Sequence, residues 1–236
     1  MWTYHRVRWT ILEDPDLTAL FEHAQAELDD DPGHDTAHCL RVAAWTLRLS
    51  DGALEPRVAI AAALLHDVVN VPKDSPERAA ASELSARAAA ELLPQRGFSH
   101  AEASAVCEAI RTHSFSRGES PTNELGRFLS DADRLEALGV IGLFRTISTG
   151  VRMGARYFDA DDPWAVDRPL DDRAYSIDHF FTKLLGLPET LLTEAGRAEA
   201  RRRVAFLQRT LEELASELGT DSPPTGGTPR VRPARP

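Results

Sequence analysis

Apolar residues recur along this chain at intervals of three and four, and stretches of strict apolar–polar alternation are scarce. That spacing is the mark of helices with one buried face. It predicts an all-α fold, a single helical bundle. The first predicted helix opens at Asp14-Pro15 or Asp16 and runs to about Leu28, where Asp29-Asp30-Asp31-Pro32-Gly33 stops it. A second starts near His34 or Asp35 and ends at Leu49, with Val42, Trp45 and Leu49 sharing a face and Asp51-Gly52 closing it. The third contains VAIAAALLHDVV, residues 58–69, and is apolar on every side before His66. Such a helix belongs in the centre of a domain.

Ser75-Pro76 offers a cap residue followed by proline at the first helical position, so a fourth helix is predicted from there to about Leu93-Pro94. Ser99 and Glu102 form a capping-box pattern for a fifth, running to about His113, and residues 114–121 read as a polar loop. A sixth covers roughly 123–138, with further helix up to Thr149. The connection over 150–172 is long enough to be a functional loop. A short helix over 175–185 follows, then a long amphipathic one over 194–218 that turns Val204, Leu207, Leu211 and Leu218 inward. Residues 220–236, rich in Pro and Gly, cannot bury enough apolar surface to order themselves, so a disordered tail is predicted after a domain spanning 1–219.

With 236 residues, 42% hydrophobic and 27% charged, the chain has the make-up of an ordinary globular protein. It has no run of 18 apolar residues and no secretory leader pattern at its start, and its two cysteines, Cys39 and Cys107, sit in helical segments as packed thiols. A cytoplasmic location is the expectation. A formal net charge of −10, with no basic stripe before the tail, disfavours long nucleic acid as a partner, and no membrane partner is expected. A small anionic substrate remains compatible if local cations or a metal offset that field, and so does a homo-oligomer.

The chemistry starts at His66-Asp67, two ionisable groups ending a helix otherwise made of apolar side chains. An uncompensated charge there would cost several kcal/mol. A bound cation compensates both; so does a His⁺ on the negative end of the helix dipole. His38 near the start of the second helix, and Asp131 and Asp133 in the sixth, enlarge the set. Two residues two positions apart on a helix point about 200° apart, so Asp131 and Asp133 cannot both face one ion. Imidazole with carboxylate suits Mn²⁺, Fe²⁺, Co²⁺, Ni²⁺ or Zn²⁺, and Mg²⁺ less naturally.

His38…His66-Asp67…Asp133, together with GHDTAHCLRV, ALLHDVVNVPKDSPERAAAS, AIRTHSFS, DADRLEALGVIGLFRT and DHFFTKLL, resembles the HD superfamily of metal-dependent phosphohydrolases. Within it the chain looks like the bacterial HD hydrolases related to a Bacillus nucleoside-triphosphate pyrophosphohydrolase, over residues 10–218. The resemblance implies a metal held by His38, His66, Asp67 and Asp133, with Mn²⁺ the leading ion, and selects Asp133 over Asp131. It implies hydrolysis of a nucleotide, triphosphate to monophosphate and pyrophosphate, by a metal-bound water.

His113 is then a catalytic candidate with Asp67, against the plainer reading of a histidine at a helix end. His34, Lys73, Arg134, His179 and Lys183 are candidate substrate contacts. Each is otherwise a solvated or salt-bridged side chain. His179 and Lys183, four apart on one predicted helix, could form a pocket wall. Where some relatives carry a carboxylate three residues past the HD aspartate, this chain has Asn70, so their acid–base route is not expected. A phosphomonoesterase or phosphodiesterase, a non-catalytic nucleotide-binding module and a di-iron oxygenase are the competing readings.

Overall fold

The structure is a computed structural model, and it describes residues 1–28, 35–69, 80–114 and 119–223. It is all-α: ten α-helices and two 3₁₀ segments are seen among the described residues, with one isolated bridge between Arg156 and Tyr175 and no strand. The chain divides into two compact units, Met1–Asp133 and Arg134–Pro236.

In the first unit, α1 is Tyr4–Glu13, α2 Pro15–Glu27, α3 Thr36–Leu49, α4 Pro56–Leu65, α5 Ala81–Leu92, α6 His100–Thr112, and α7 Glu124–Leu135 begins there. Every residue from Ala59 to Leu65 is fully buried, so α4 is the central helix that its unbroken apolar surface predicts. It packs against α2, α3 and α6. Its alanines at 59, 61, 62 and 63 let those neighbours approach closely.

α4 ends four residues earlier than the sequence reading placed it. His66 is its cap residue, and residues 66–67 form a turn in which His66 stays fully buried and Asp67 is partly exposed. The N-terminal helix α1 was not foreseen at all. Its buried stripe consists of only Val7 and Ile11, too short a signal to separate from the polar and aromatic residues around it.

Asp14 joins α1 to α2. Its Oδ1 accepts from the Asp16 and Leu17 N–H groups at 2.9 and 3.2 Å, and Pro15 occupies the position where an N–H would go unused. Arg57 at the start of α4 donates to Asp14, to Asp16 and to the Arg96 carbonyl, each at 2.9 Å, and stacks on Phe98 at 3.9 Å. The capping box of α6 forms as the sequence implies. Glu102 N–H donates to Ser99 Oγ, and Ser99 N–H donates back to Glu102 at 2.7 Å. The predicted start of α5 at Ser75-Pro76, residues 115–118 of the polar loop and residues 224–236 of the tail lie outside the described residues.

The second unit holds α8 (Gly139–Arg152), α9 (Asp178–Thr182), a 3₁₀ segment Leu184–Thr190 and α10 (Glu194–Leu218). α10 has the predicted bounds because both ends carry explicit stops. Thr193 accepts from Gly196 N–H, and Gly219 takes a φ of +66° that favours glycine. Val204, Leu207 and Leu211 point inward, whereas Leu218, on the last turn, is 36% exposed rather than buried as predicted. α9 is shorter than the predicted helix and stops at Thr182.

The connection before α9 is tied by its own polar groups. Asp159 accepts from Tyr175 Oη at 2.6 Å and from the N–H groups of Asp161 and Asp162 at 3.0 and 2.9 Å. Asp162 in turn accepts from Val166 and Asp167, and the fully buried Asp178 takes a two-pronged ion pair from Arg168.

The Tyr175 hydroxyl, helped by those N–H groups, holds the Asp159 carboxyl down at about 2. A carboxylate with a depressed folded value stabilises the fold above its ordinary 3.8 and loses that contribution as the pH falls through about 2. Tyr175→Phe should therefore move the Asp159 midpoint upward, towards 3.8, in a carboxyl-detected NMR titration. An unmoved midpoint would show that the hydroxyl does not control it.

Candidate metal centre

Three histidines meet at the ends of helices in the first unit. His38 lies in the first turn of α3, whose N-cap Asp35 accepts from the His38 N–H at 2.8 Å. His66 follows α4, and His113 follows α6. His38 and His66 are fully buried and His113 is 4% exposed.

The two C-terminal histidines are fixed in the same way. His66 Nδ1 lies 2.8 Å from the Ala63 carbonyl, and His113 Nδ1 lies 2.7 Å from the Ile110 carbonyl. A carbonyl only accepts, so each Nδ1 carries the proton and each Nε2 faces into the centre. Ser130 Oγ adds a bond to the His113 carbonyl at 2.9 Å, pinning the end of α6 to α7.

His38 Nε2 and His66 Nε2 are 3.2 Å apart. The Asp133 carboxylate stands 3.6 Å from the first and 4.0 Å from the second. Asp67 spans two rings: Oδ2 is 3.7 Å from His66 Nε2 and Oδ1 is 3.6 Å from His113 Nε2. Both carboxylates are about a third exposed, 31% and 30%, so one side of the centre opens to solvent.

Burial pushes the His66 imidazole down to about 4 despite the carboxylate of Asp67, so the ring is neutral near pH 7 and its Nε2 lone pair is available. For His113 burial acts in the same direction, but the hydrogen bond and charge of Asp67, with Asp133 and the Ile110 carbonyl, outweigh it and raise its value. For Asp133 burial is again outweighed, here by the surrounding imidazoles, and its value falls.

This donor set fits a divalent cation. Ligand atoms of His38, His66 and Asp67 all lie within 4.8 Å of one another. Two imidazole nitrogens bound at about 2.1 Å to one ion and seen at roughly 100° would be separated by about the His38–His66 distance. Carboxylates within reach supply the opposite charge that such an ion needs.

The sequence-predicted residues distribute unevenly. His38, His66, Asp67, His113 and Asp133 come together. Asp131 is fully buried, whereas the Asp133 carboxylate faces His38 and His66, in line with the choice of Asp133 that the resemblance implies. His34, Lys73 and Asn70 lie outside the described residues. Arg134 donates from Nη1 to the Thr190 carbonyl within the second unit.

His179 Nδ1 pairs with Asp172 at 2.9 Å, a partner seven residues back that no helical spacing announces. Lys183 is exposed and sits just past the end of α9, so it does not share a regular helix face with His179 as predicted. Cys39 and Cys107 are free thiols, and burial pushes the Cys39 thiol far up. No helix among the described residues is long and apolar enough to cross a membrane.

A helical fold that gathers imidazoles and carboxylates from α3, α7 and the ends of α4 and α6 defines an all-α protein with a centre that could hold a divalent metal. Residues 36–138 match the HD domain, a domain that implies divalent-metal binding.

The chain is 28% identical over 196 residues to the uncharacterized protein YpgQ of Bacillus subtilis, covering 80% of this chain and 87% of that one. The solved structure of YpgQ superposes with a TM-score of 0.67 at 25% identity, over 88% of this chain and 97% of that one. A second YpgQ structure, in complex with ADP, shares the fold at a TM-score of 0.65 and 24% identity, over 85% of this chain and 96% of that one. An HD-superfamily hydrolase from Bacillus thuringiensis matches at 0.65 and 26%, over 91% of this chain and all of that one.

Proposed function

We propose that this chain is a metal-dependent phosphohydrolase acting on a nucleotide, with a nucleoside triphosphate split to monophosphate and pyrophosphate as the leading reaction. The observation that carries this reading is the convergence of His38, His66, Asp67 and Asp133 on one partly open centre. HD-superfamily hydrolases share the fold, and the YpgQ complex with ADP supports a nucleotide as substrate.

In this reading the four residues hold the cation, Mn²⁺ first among Fe²⁺, Co²⁺, Ni²⁺, Zn²⁺ and Mg²⁺. When bound, such an ion supplies an acidified water and neutralises charge on a phosphoryl oxygen. The buried His38 and His66 keep the donor set rigid. Asp67 orients His113, whose Nε2 takes up or returns the proton that moves during attack. His34, Lys73, Arg134, His179 and Lys183 remain proposed substrate contacts.

Metal analysis of the purified protein, joined to a nucleotide panel with separate pyrophosphate and orthophosphate detection, tests the reading. Pyrophosphate release dependent on Mn²⁺ is expected. Orthophosphate alone would mean a phosphomonoesterase, and tight binding of unchanged nucleotide would mean a binding module. Neither product from any nucleotide would end the proposal.

A further inference from the structure

In the second unit, α8 carries its apolar residues on the wrong side for a helix that serves only its own core. Val140, Phe144, Ile147 and Val151 fall within roughly 60° of one another on a regular helix. The buried Gly142 lies on the opposite side, and α8 packs against α10. Phe144 is 64% exposed, Val140 and Val151 are about half exposed, and Met153 and Tyr157 continue the exposed patch just beyond the helix. Together these side chains leave roughly 500 Å² of apolar surface in water, at the upper end of what a monomer shows.

We infer that α8 is the contact helix of a homodimer in which two copies of this chain pair α8 against α8 in antiparallel fashion about a two-fold axis. Three observations favour a second copy over another partner. The stripe is its own complement: an axis between positions 145 and 146 sets Val140 against Val151 of the other copy and Phe144 against Ile147. A two-fold contact needs just such a surface. The cations flanking the stripe, Arg145 and Arg152, sit roughly 110–130° from its centre, so like charges do not meet across the seam. Burying the patch from both copies removes about 1,000 Å² of surface, and the polar rim adds more, which reaches the size of a specific interface.

Sedimentation equilibrium of the full chain should show a dimer at tens of micromolar. Phe144→Asp and Val151→Glu, both at exposed positions, should each weaken it at least about a hundredfold without lowering the helical signal or its melting temperature. Disulfide trapping tests the register. In the antiparallel pair Val140 and Val151 of the two copies are adjacent, while each residue lies about 16 Å along the helix from its own equivalent, too far to bridge. The double variant V140C/V151C should therefore form covalent dimers on mild oxidation, and V140C or V151C alone should not.

A wild-type monomer at 100 µM overturns the inference, whatever else the patch then covers. So does a dimer that survives Phe144→Asp, or cross-linking by either single cysteine as efficient as by the pair. None of these readouts depends on the metal centre or on turnover.

Discussion

Asp67→Ala is expected to bind Mn²⁺ at least about a hundredfold more weakly and to lose turnover with its helix content intact. The carboxylate sits beyond the end of α4 and is about a third exposed, so its removal opens no hole in the core. What goes is negative charge at the point where three imidazoles meet. Oδ2 faces His66 at 3.7 Å and Oδ1 faces His113 at 3.6 Å, and Asp133 remains as the other carboxylate near the rings.

Calorimetric titration with Mn²⁺, circular dichroism and the nucleotide assay on the same preparation separate the outcomes. A folded variant that still binds the ion as tightly as wild type would remove Asp67 from the ligand set. One that binds normally but is inactive would instead assign it to proton handling with His113.

Asp178→Ala should destabilise the second unit by roughly 3–5 kcal/mol, the cost of stranding one partner of a buried ion pair. Asp178 is fully buried, and its two oxygens accept from Arg168 at 2.5 and 2.9 Å while Oδ2 also takes the Asp171 N–H at 2.7 Å. Arg168, itself 17% exposed at the side chain, stacks on Tyr175 at 4.4 Å, which holds its guanidinium beside the Asp178 position. Urea unfolding of Asp178→Ala, Arg168→Ala and the double variant would show the coupling. If the aspartate substitution cost under 1 kcal/mol, or if the two single losses simply added, the pair would not be the anchor of the loop.

Much of the helical framework was legible because burial and period coincide. α4 is the plainest case, and the capping box of Ser99 and Glu102 marked a helix start that the period alone leaves vague. Where the structure departs from the sequence reading, a tertiary cause can be named. Val7 and Ile11 bury α1 only because α2 and α3 lie beneath it. His66 leaves α4 early because its ring turns back onto the Ala63 carbonyl.

The metal cluster was legible as residue types, since two ionisable groups ending an apolar helix demand a partner. Between Asp131 and Asp133, helix geometry alone left the choice open, and only the resemblance selected Asp133. That choice depends on the rotation of α7 about its own axis, which one polar pair in the sequence does not fix. The His179–Asp172 pair was missed for a related reason: it closes across a loop, where no period operates.

His66 and His113 each borrow a carbonyl from three residues back, at the frayed end of a helix where carbonyl groups lack the usual intrahelical partner. The orientation of these two rings thus rests on the last turns of α4 and α6 as well as on the side chains of Asp67 and Ser130. Warming that loosens only those turns would set the rings spinning while the bundle stayed folded. Ion capture would then fade at a lower temperature than the one at which the helices melt.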